Sequence, residues 1–385
     1  VTATVIPITA RGPAGAVLTT ARRDGPIFRD ELATATGLSH ATVNRQVAAL
    51  LEAGLLRERP DLVAAGAVGR PRVPVEVDPD RFGVLGVHIG PRHATLASGD
   101  LRGRVLDAID VPVPAPLRPA EVIPLLTGRL RRFGARSPRR RPLGVGVVID
   151  DQLRGGRAPL AQAVDMDLDA VVMPQVEAMA AAETLLTRFP TDGATLYVYA
   201  RESVGAVLTV DDVVAGPSRG PGTISHLPVG GPAGCPCGAT GCLEASVGDT
   251  AVAARAHRAG LVPEPSIAQL VAAAERGARA AHELLVERAR LLGRGVALAR
   301  DVFNPDRVAL LGRAFTGYRP ALAHVAASFN AASVLEPLSL RVSSLGPRVH
   351  ALTACTAALR PIYADPLAAV RKADARAKSR VAVAP

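Results

Sequence analysis

This sequence predicts a mixed α/β chain behind a small helical head, and three stretches carry that expectation. Residues 14–77 hold three short helical patterns followed by two strand-like segments. LGVGVVID at 143–150 is an apolar run punctuated by glycine, the pattern of a buried strand, while AAHELLVERARLLGRGVALARDVFNP at 280–305 keeps helical periodicity. HLPVGGPAGCPCGATGCLE at 226–244 gathers three of the four cysteines and one histidine among glycines.

With 385 residues, the chain can build two or three domains around a sizeable core. No charge-free apolar run approaches the roughly 18 residues of a membrane span. The opening VTATVIPITARGPAG lacks a basic segment followed by a long apolar one, so no secretory signal is expected. Four cysteines, three of them clustered, argue against a secreted disulfide scaffold and for a reducing cytoplasm. The net charge of +10 is compatible with a nucleic-acid partner. The charge does not sit in the head, however, where ten Arg face nine acids over residues 1–82. The densest basic run, GRLRRFGARSPRRRP at 128–142, reads as a helix end and loop rather than a second nucleic-acid site.

Residues 1–13 carry no periodic pattern and are expected to be unstructured. A first helix is predicted from Ala14 to the turn signal Asp24-Gly25-Pro26, and a second from Phe28 to Thr36 with Leu32 inward. Gly37 marks the next turn. Ser39 suits the N-cap of a third helix, His40 to Ala53, with Val43, Val47, Leu50 and Leu51 on its buried face and Gly54 ending it. Two helices joined by a short glycine-containing turn form a helix-turn-helix, whose second helix can enter a major groove. Leu55 to Glu58 and Arg72 to Val77 then supply the strands of a wing. The exposed start of the third helix presents Ser39, His40, Ala41, Thr42, Asn44 and Arg45. Arg can pair with guanine and Asn with adenine in the major groove, and contact with phosphate or with solvent alone is the competing reading. Arg70, between Gly69 and Pro71, is a candidate for a narrow minor groove, with a plain surface turn as the alternative. Residues 78–83 read as a linker.

The cysteine stretch is read from donor chemistry. Cys235, Cys237, Cys242 and His226 make a three-sulfur, one-nitrogen set suited to structural zinc. Gly234, Gly238 and Gly241 allow the backbone to turn tightly enough for the set to converge. The C-x-C spacing is tighter than the usual C-x2-C, and buried thiols beside an unrelated His are the other reading.

Residues 222–244, GTISH followed by CPCG and GCLE, resemble the zinc signature of the ROK family, which holds bacterial sugar kinases and sugar-responsive repressors. The family pattern runs G-E-x-G-H, then C-x-C-G-x-x-G-C-L-E; Thr223 stands at the Glu. The head is similar to that of ROK repressors, with Phe28 where the family often has a Ser or Thr cap. The resemblance spans about Ala14 to Asp365. It implies a winged helix-turn-helix followed, over 84–365, by a two-lobed actin-like, ribonuclease-H-like domain of sugar-kinase type. His226 and Glu244 would face an effector pocket, and family members assemble as dimers or dimers of dimers. A helix is expected over Ala351 to Leu359, and the residues after Asp365 as a frayed tail.

The resemblance to the kinases also marks departures. Their first phosphate loop, D-x-G-G-T-K, is here His88-Ile89-Gly90-Pro91-Arg92-His93, with His88 at the Asp and Pro91 removing a donor N–H. Their general-base Asp is Gln175, an amide that does not accept a proton usefully near neutral pH, and Pro174 replaces a sugar-contacting residue. Their second glycine-rich loop is Arg201 to Ala206, where Glu202 would repel phosphate. Three altered parts point away from phosphoryl transfer. The expectation is a DNA-binding regulator of the ROK type, linked to carbohydrate metabolism and holding zinc. An active sugar kinase and a regulator that no longer senses free sugar are the alternatives.

Overall fold

The computed structural model describes residues 12–63, 72–90, 93–113, 119–136, 140–150, 168–187, 192–211, 213–215, 223–346 and 348–383. The chain divides into two compact units, one formed by residues 2–189 with 345–385 and the other by residues 190–344.

The first unit opens with helices α1 (Pro13–Asp24), α2 (Arg29–Thr36) and α3 (His40–Glu52). Val17, Leu18, Leu32, Val43, Val47 and Leu50 recur at helical spacing and close into one apolar core, which is why three short helices hold together. Gly37 takes φ +67°, the left-handed turn that lets α2 stop and α3 start. Phe28 cannot cap α2 with its side chain, and Glu31 compensates by accepting from the Phe28 backbone N–H at 2.9 Å. The wing strands β1 (Leu56–Glu58) and β2 (Val75–Val77) pair antiparallel, Leu56 opposite Val77. The return strand is shorter than Arg72 to Val77: Pro74 has no N–H to give a ladder, and ahead of it the Arg72 side chain pairs with Asp30 and stacks on Phe28.

Strands β3 (Phe82–Ile89), β4 (His93–Asp100) and β5 (Val105–Pro112) form an antiparallel meander. After α4 (Pro119–Gly134), the parallel strands β6 (Arg141–Ile149) and β7 (Asp169–Pro174) complete a sheet of order β5-β4-β3-β6-β7, followed by α5 (Gln175–Leu186). The basic run at 128–142 serves this scaffold: Arg140 donates to Pro79 O at 2.8 Å and to Asp80 at 2.9 Å. Within that run, Ser137, Pro138 and Arg139 lie outside the described residues.

The second unit is built on β8 (Ala194–Ala200), β9 (Val204–Val210) and β10 (Val213–Ala215). The helices α6 (Leu243–Val247), α7 (Asp249–Arg258), α8 (Ile267–Glu275) and α9 (Arg279–Phe303) lead to β11 (Arg307–Leu311). The short α10 (Arg313–Thr316), α11 (Leu322–Ala332) and β12 (Leu340–Val342) end the unit, whose sheet order is β10-β9-β8-β11-β12. The β8–β9 hairpin is antiparallel and the β8–β11–β12 pairings are parallel, the same mixed plan as in the first sheet.

The chain then returns to the first unit with α12 (Val349–Ala364) and α13 (Pro366–Val383). Helix α12 lies directly on the sheet because two strands offer glycine beneath it. A Cβ on Gly86 would sit 2.7 Å from Ala354, and one on Gly146 would sit 2.0 Å from Ala354 O. Ala354, Ala357 and Ala358 are the matching small residues on the helix.

The expected frayed tail is instead α13. Val370 and Ala373 bury against the first unit, Arg141 pairs with Asp374 at 2.5 Å, and Arg376 pairs with Asp169 at 2.5 Å. Composition alone suggested disorder; two apolar anchors and two ion pairs give the helix a surface to dock on.

Candidate DNA-reading head and metal loop

The head places the third helix as the reader of a helix-turn-helix. Thr42 N–H donates to Ser39 Oγ at 3.2 Å, so Ser39 is the cap of α3, and its hydroxyl also donates to Thr42 Oγ1 at 3.0 Å. These two side chains hold the first turn together. His40, Ala41, Asn44 and Arg45 stand exposed around it, while Thr42 is half-buried. No hydrogen bond or ion pair of the Asn44 or Arg45 side chain occurs among the described residues, leaving both available to a groove. Arg70 lies outside the described residues, as does the wing tip from Ala64 to Pro71.

The wing is anchored by a residue that sequence reading passed over. Glu76 on β2 is 2% exposed and gathers three guanidinium groups: Arg57 at 2.7 Å, Arg59 at 3.1 Å and Arg102 at 2.5 Å. Burial pushes its carboxyl pKa up, but the Arg57 hydrogen bond and the charge and hydrogen bond of Arg102 outweigh that and hold it below the ordinary value. A Val-Glu-Val strand that buries a carboxylate between two apolar residues, opposite Arg57 in the hairpin, is the signal that could have flagged it.

In the second unit the glycine-laced loop closes as a set of nested turns. Cys235 N–H donates to Ala239 O at 2.8 Å, Gly238 N–H to Cys235 O at 2.9 Å, and Gly241 N–H to Ala233 O at 2.8 Å. Gly238 and Gly241 have φ +90° and +79°, and a Cβ on Gly241 would meet the Gly230 backbone at 2.9 Å. Gly234, by contrast, is not left-handed; it forms an isolated antiparallel bridge with Thr240.

These turns bring the donors of His226, Cys235, Cys237 and Cys242 within 4.8 Å of one another. The His226 Nδ1 to Cys235 Sγ distance is 3.5 Å, and Cys237 Sγ to Cys242 Sγ is 3.7 Å. A tetrahedral site with metal–sulfur bonds of about 2.3 Å and metal–nitrogen bonds of about 2.0 Å has edges of about 3.8 and 3.5 Å, which these two separations match, and the full set lies close enough to close on one ion. The Ala239 backbone hydrogen bond, then the neighbouring sulfurs, lower the Cys237 thiol to about 7, while burial and the same sulfurs push Cys242 up to about 11, the opposed shifts of thiols sharing one site. The fourth cysteine, Cys355, is buried on α12 and takes no part; burial pushes its thiol up to about 12.

The kinase-type positions are occupied differently. In the first unit His88 and Gln175 are buried and bonded, His88 Nε2–H donating to Gln175 Oε1 at 2.7 Å. The His88 ring also stacks on His350, centroids 4.0 Å apart and 2° from parallel. Pro91 and Arg92 lie outside the described residues. In the second unit Glu244, on α6, spends Oε2 on the protein itself, accepting from Val204 N–H at 2.9 Å and Ser225 Oγ at 3.0 Å. Thr223, at the family Glu position, bonds Ser225 at 3.0 Å. Glu202 sits half-buried in the β8–β9 turn.

A winged head ahead of two mixed sheets of this plan defines a DNA-binding module joined to a sugar-kinase-like α/β domain. Family models for a winged helix-turn-helix DNA-binding domain and for the ROK family match residues 15–57 and 144–332. A transcriptional regulator of Mycobacterium tuberculosis is 44% identical over 94% of this chain and 88% of its own length. The N-acetylglucosamine repressor of Escherichia coli O157:H7 is 25% identical over 75% of this chain and 77% of its own. A solved ROK family transcriptional regulator, a homologue of the E. coli Mlc protein, superposes with a TM-score of 0.73 at 21% identity, covering 94% of this chain and 98% of that one. The chain belongs to the ROK family. Among the described residues no helix is long and apolar enough to cross a membrane.

Proposed function

We propose that the chain is a sequence-specific, DNA-binding transcriptional regulator of the ROK type, linked to carbohydrate metabolism and working in the cytoplasm. The observation that carries this reading is the exposed first turn of α3: Ser39 and Thr42 brace it from within, and His40, Asn44 and Arg45 face out. One of Arg45 and Asn44 reads a base edge, Ser39, His40 and Thr42 hold register on the backbone, and Arg70 enters the adjoining minor groove. The chain acts as a homodimer or homotetramer on paired half-sites. The exposed apolar residues Leu298, Val302, Phe303 and Val334 at the end of α9 and just after α11 support such an interface.

Zinc is the ion that the His226, Cys235, Cys237 and Cys242 set would hold, supplying a rigid crosslink for the loop and for the start of α6. It has no catalytic part in this reading. The kinase-like domain lacks phosphotransfer groups: an amide stands at the base position, and its acceptor is engaged by His88.

A second reading of the effector site rests on Glu244. Of the two effector residues, His226 is exposed and offers Nδ1 to the metal set, while Glu244 and Ser225 are committed to the β8–β9 turn. Polar groups already paired are poor readers of sugar hydroxyls. The regulator therefore responds to something other than an ordinary free hexose. Mapping bound DNA across a genome tests the main reading, and the absence of any enriched promoter sequence would overturn it. A thermal-shift screen of sugars against phosphosugars tests the second, since a true effector raises the melting temperature by mass action.

A further inference from the structure

The first unit contains a cavity of about 320 Å³ lined by Arg22, Arg23, Glu76, Arg102, Arg104 and Thr187, together with Ala21, Gly25 and Leu186. Its walls come from two places: α1 and β2 of the DNA-binding head, and the β4–β5 turn and the end of α5 of the α/β domain. The volume is that of a small-molecule site.

The charges in it do not balance. Among the described residues, Glu76 is the one acid on the wall, and it is surrounded by Arg57, Arg59 and Arg102. Arg23 is held by its neighbour Asp24 at 2.7 Å. Arg22 and Arg104 form no ion pair with an acid among the described residues. Arg22 lies over the Tyr363 ring, 5.6 Å to the centroid, a contact that meets its charge without taking a hydrogen bond. Its Nε is buried with no hydrogen-bond partner among the described residues, a costly arrangement. Desolvation also lowers the Arg22 pKa, in keeping with a cation held away from water. Guanidinium forks match oxyanions in charge and in planar, two-point geometry.

We propose that this cleft binds a small phosphate-bearing metabolite, with Arg22 and Arg104 as its principal contacts, and that the bound anion ties the DNA-binding head to the α/β domain. Because Arg22 belongs to α1 and Arg104 to the β4–β5 turn, the ligand would hold the two together. Binding at this place biases how the head is carried, which is what a regulatory ligand must do.

Calorimetric titration of the full chain with pyrophosphate, at fixed ionic strength, tests the proposal without any operator, so its failure is separate from that of the regulator reading. Saturable binding is expected, and Arg104→Ala, at an exposed position, should weaken it about tenfold or more. Arg22→Lys, keeping charge but losing the fork, should weaken it as well. The doubly substituted Arg132→Ala, Arg136→Ala, in the exposed last turn of α4 and just after it, should bind as the parent does. No saturable binding, full affinity in Arg104→Ala, or equal loss in the α4 control would overturn the proposal. So would an Arg104→Ala protein that binds DNA less well but pyrophosphate unchanged, which would assign the cleft to DNA phosphate.

Discussion

His88 Nε2 and Gln175 Oε1 are 2.7 Å apart and buried, one at the end of β3 and the other at the start of α5. In the resemblance to ROK kinases these positions carry the metal-binding and general-base carboxylates. A donor ring and an amide that bond to each other can supply neither a magnesium ligand set nor a proton acceptor. With magnesium-ATP and a panel of hexoses, no turnover above a protein-free blank is expected. Restoring one group should not rescue it: Gln175→Asp alone is expected to remain inactive, since His88 still occupies the other position. Hexose-dependent ADP release by the unaltered chain would refute this.

Arg45 is exposed on α3 and its side chain has no partner among the described residues, so its removal should leave the fold intact. If it reads a base edge, Arg45→Ala costs about 1–3 kcal/mol of specific affinity and relaxes preference at one base pair. A fluorescence-anisotropy titration of a promoter fragment, with a scrambled duplex beside it, measures both. A uniform loss on the two duplexes would make Arg45 a phosphate contact; no loss on either would remove it from the interface.

The head was legible in the sequence because its signals are local. Leu32, Val43, Val47 and Leu50 bury as their spacing predicts, and Ser39 caps where it should. The metal loop was equally legible, since four donors within seventeen residues need only turns to meet. What escaped depends on partners far apart in the chain. Gly86 and Gly146 matter because α12, near the other end of the chain, rests on them. The helix α13 has the sequence of a tail because Asp169 and Arg141, which hold it, sit in distant strands. Glu244 shows the same limit, since no local pattern announces that Val204 N–H would bond one of its oxygens.

The metal loop can be tested by removing one sulfur. Cys237→Ser replaces a soft thiolate by a hydroxyl that stays protonated, and a three-donor remnant binds zinc far less tightly. Mass spectrometry under native conditions should find one zinc per chain in the parent and little in the variant. The variant should also lose thermal stability, because the turns from Ala233 to Gly241 and the start of α6 lose their crosslink. Chelator treatment of the parent should reproduce that loss. Full zinc retention in Cys237→Ser would break the proposed ligand set.

Glu76 offers a prediction with a defined pH dependence. Its folded pKa is lowered, so the charged form contributes stability above the ordinary carboxylate value, and that contribution is lost as pH falls through the folded value. Glu76→Gln keeps the volume but deprives Arg57, Arg59 and Arg102 of their shared anion. Because those three arginines are each partly exposed, the cost should be below that of a fully buried pair, about 2 kcal/mol at pH 7. Urea denaturation of parent and variant across pH should show that difference constant near neutrality and shrinking below about pH 4. A gap that persists unchanged in acid would mean that Glu76 acts through packing rather than charge, and the arginine ring would then not be what holds the wing strand in place.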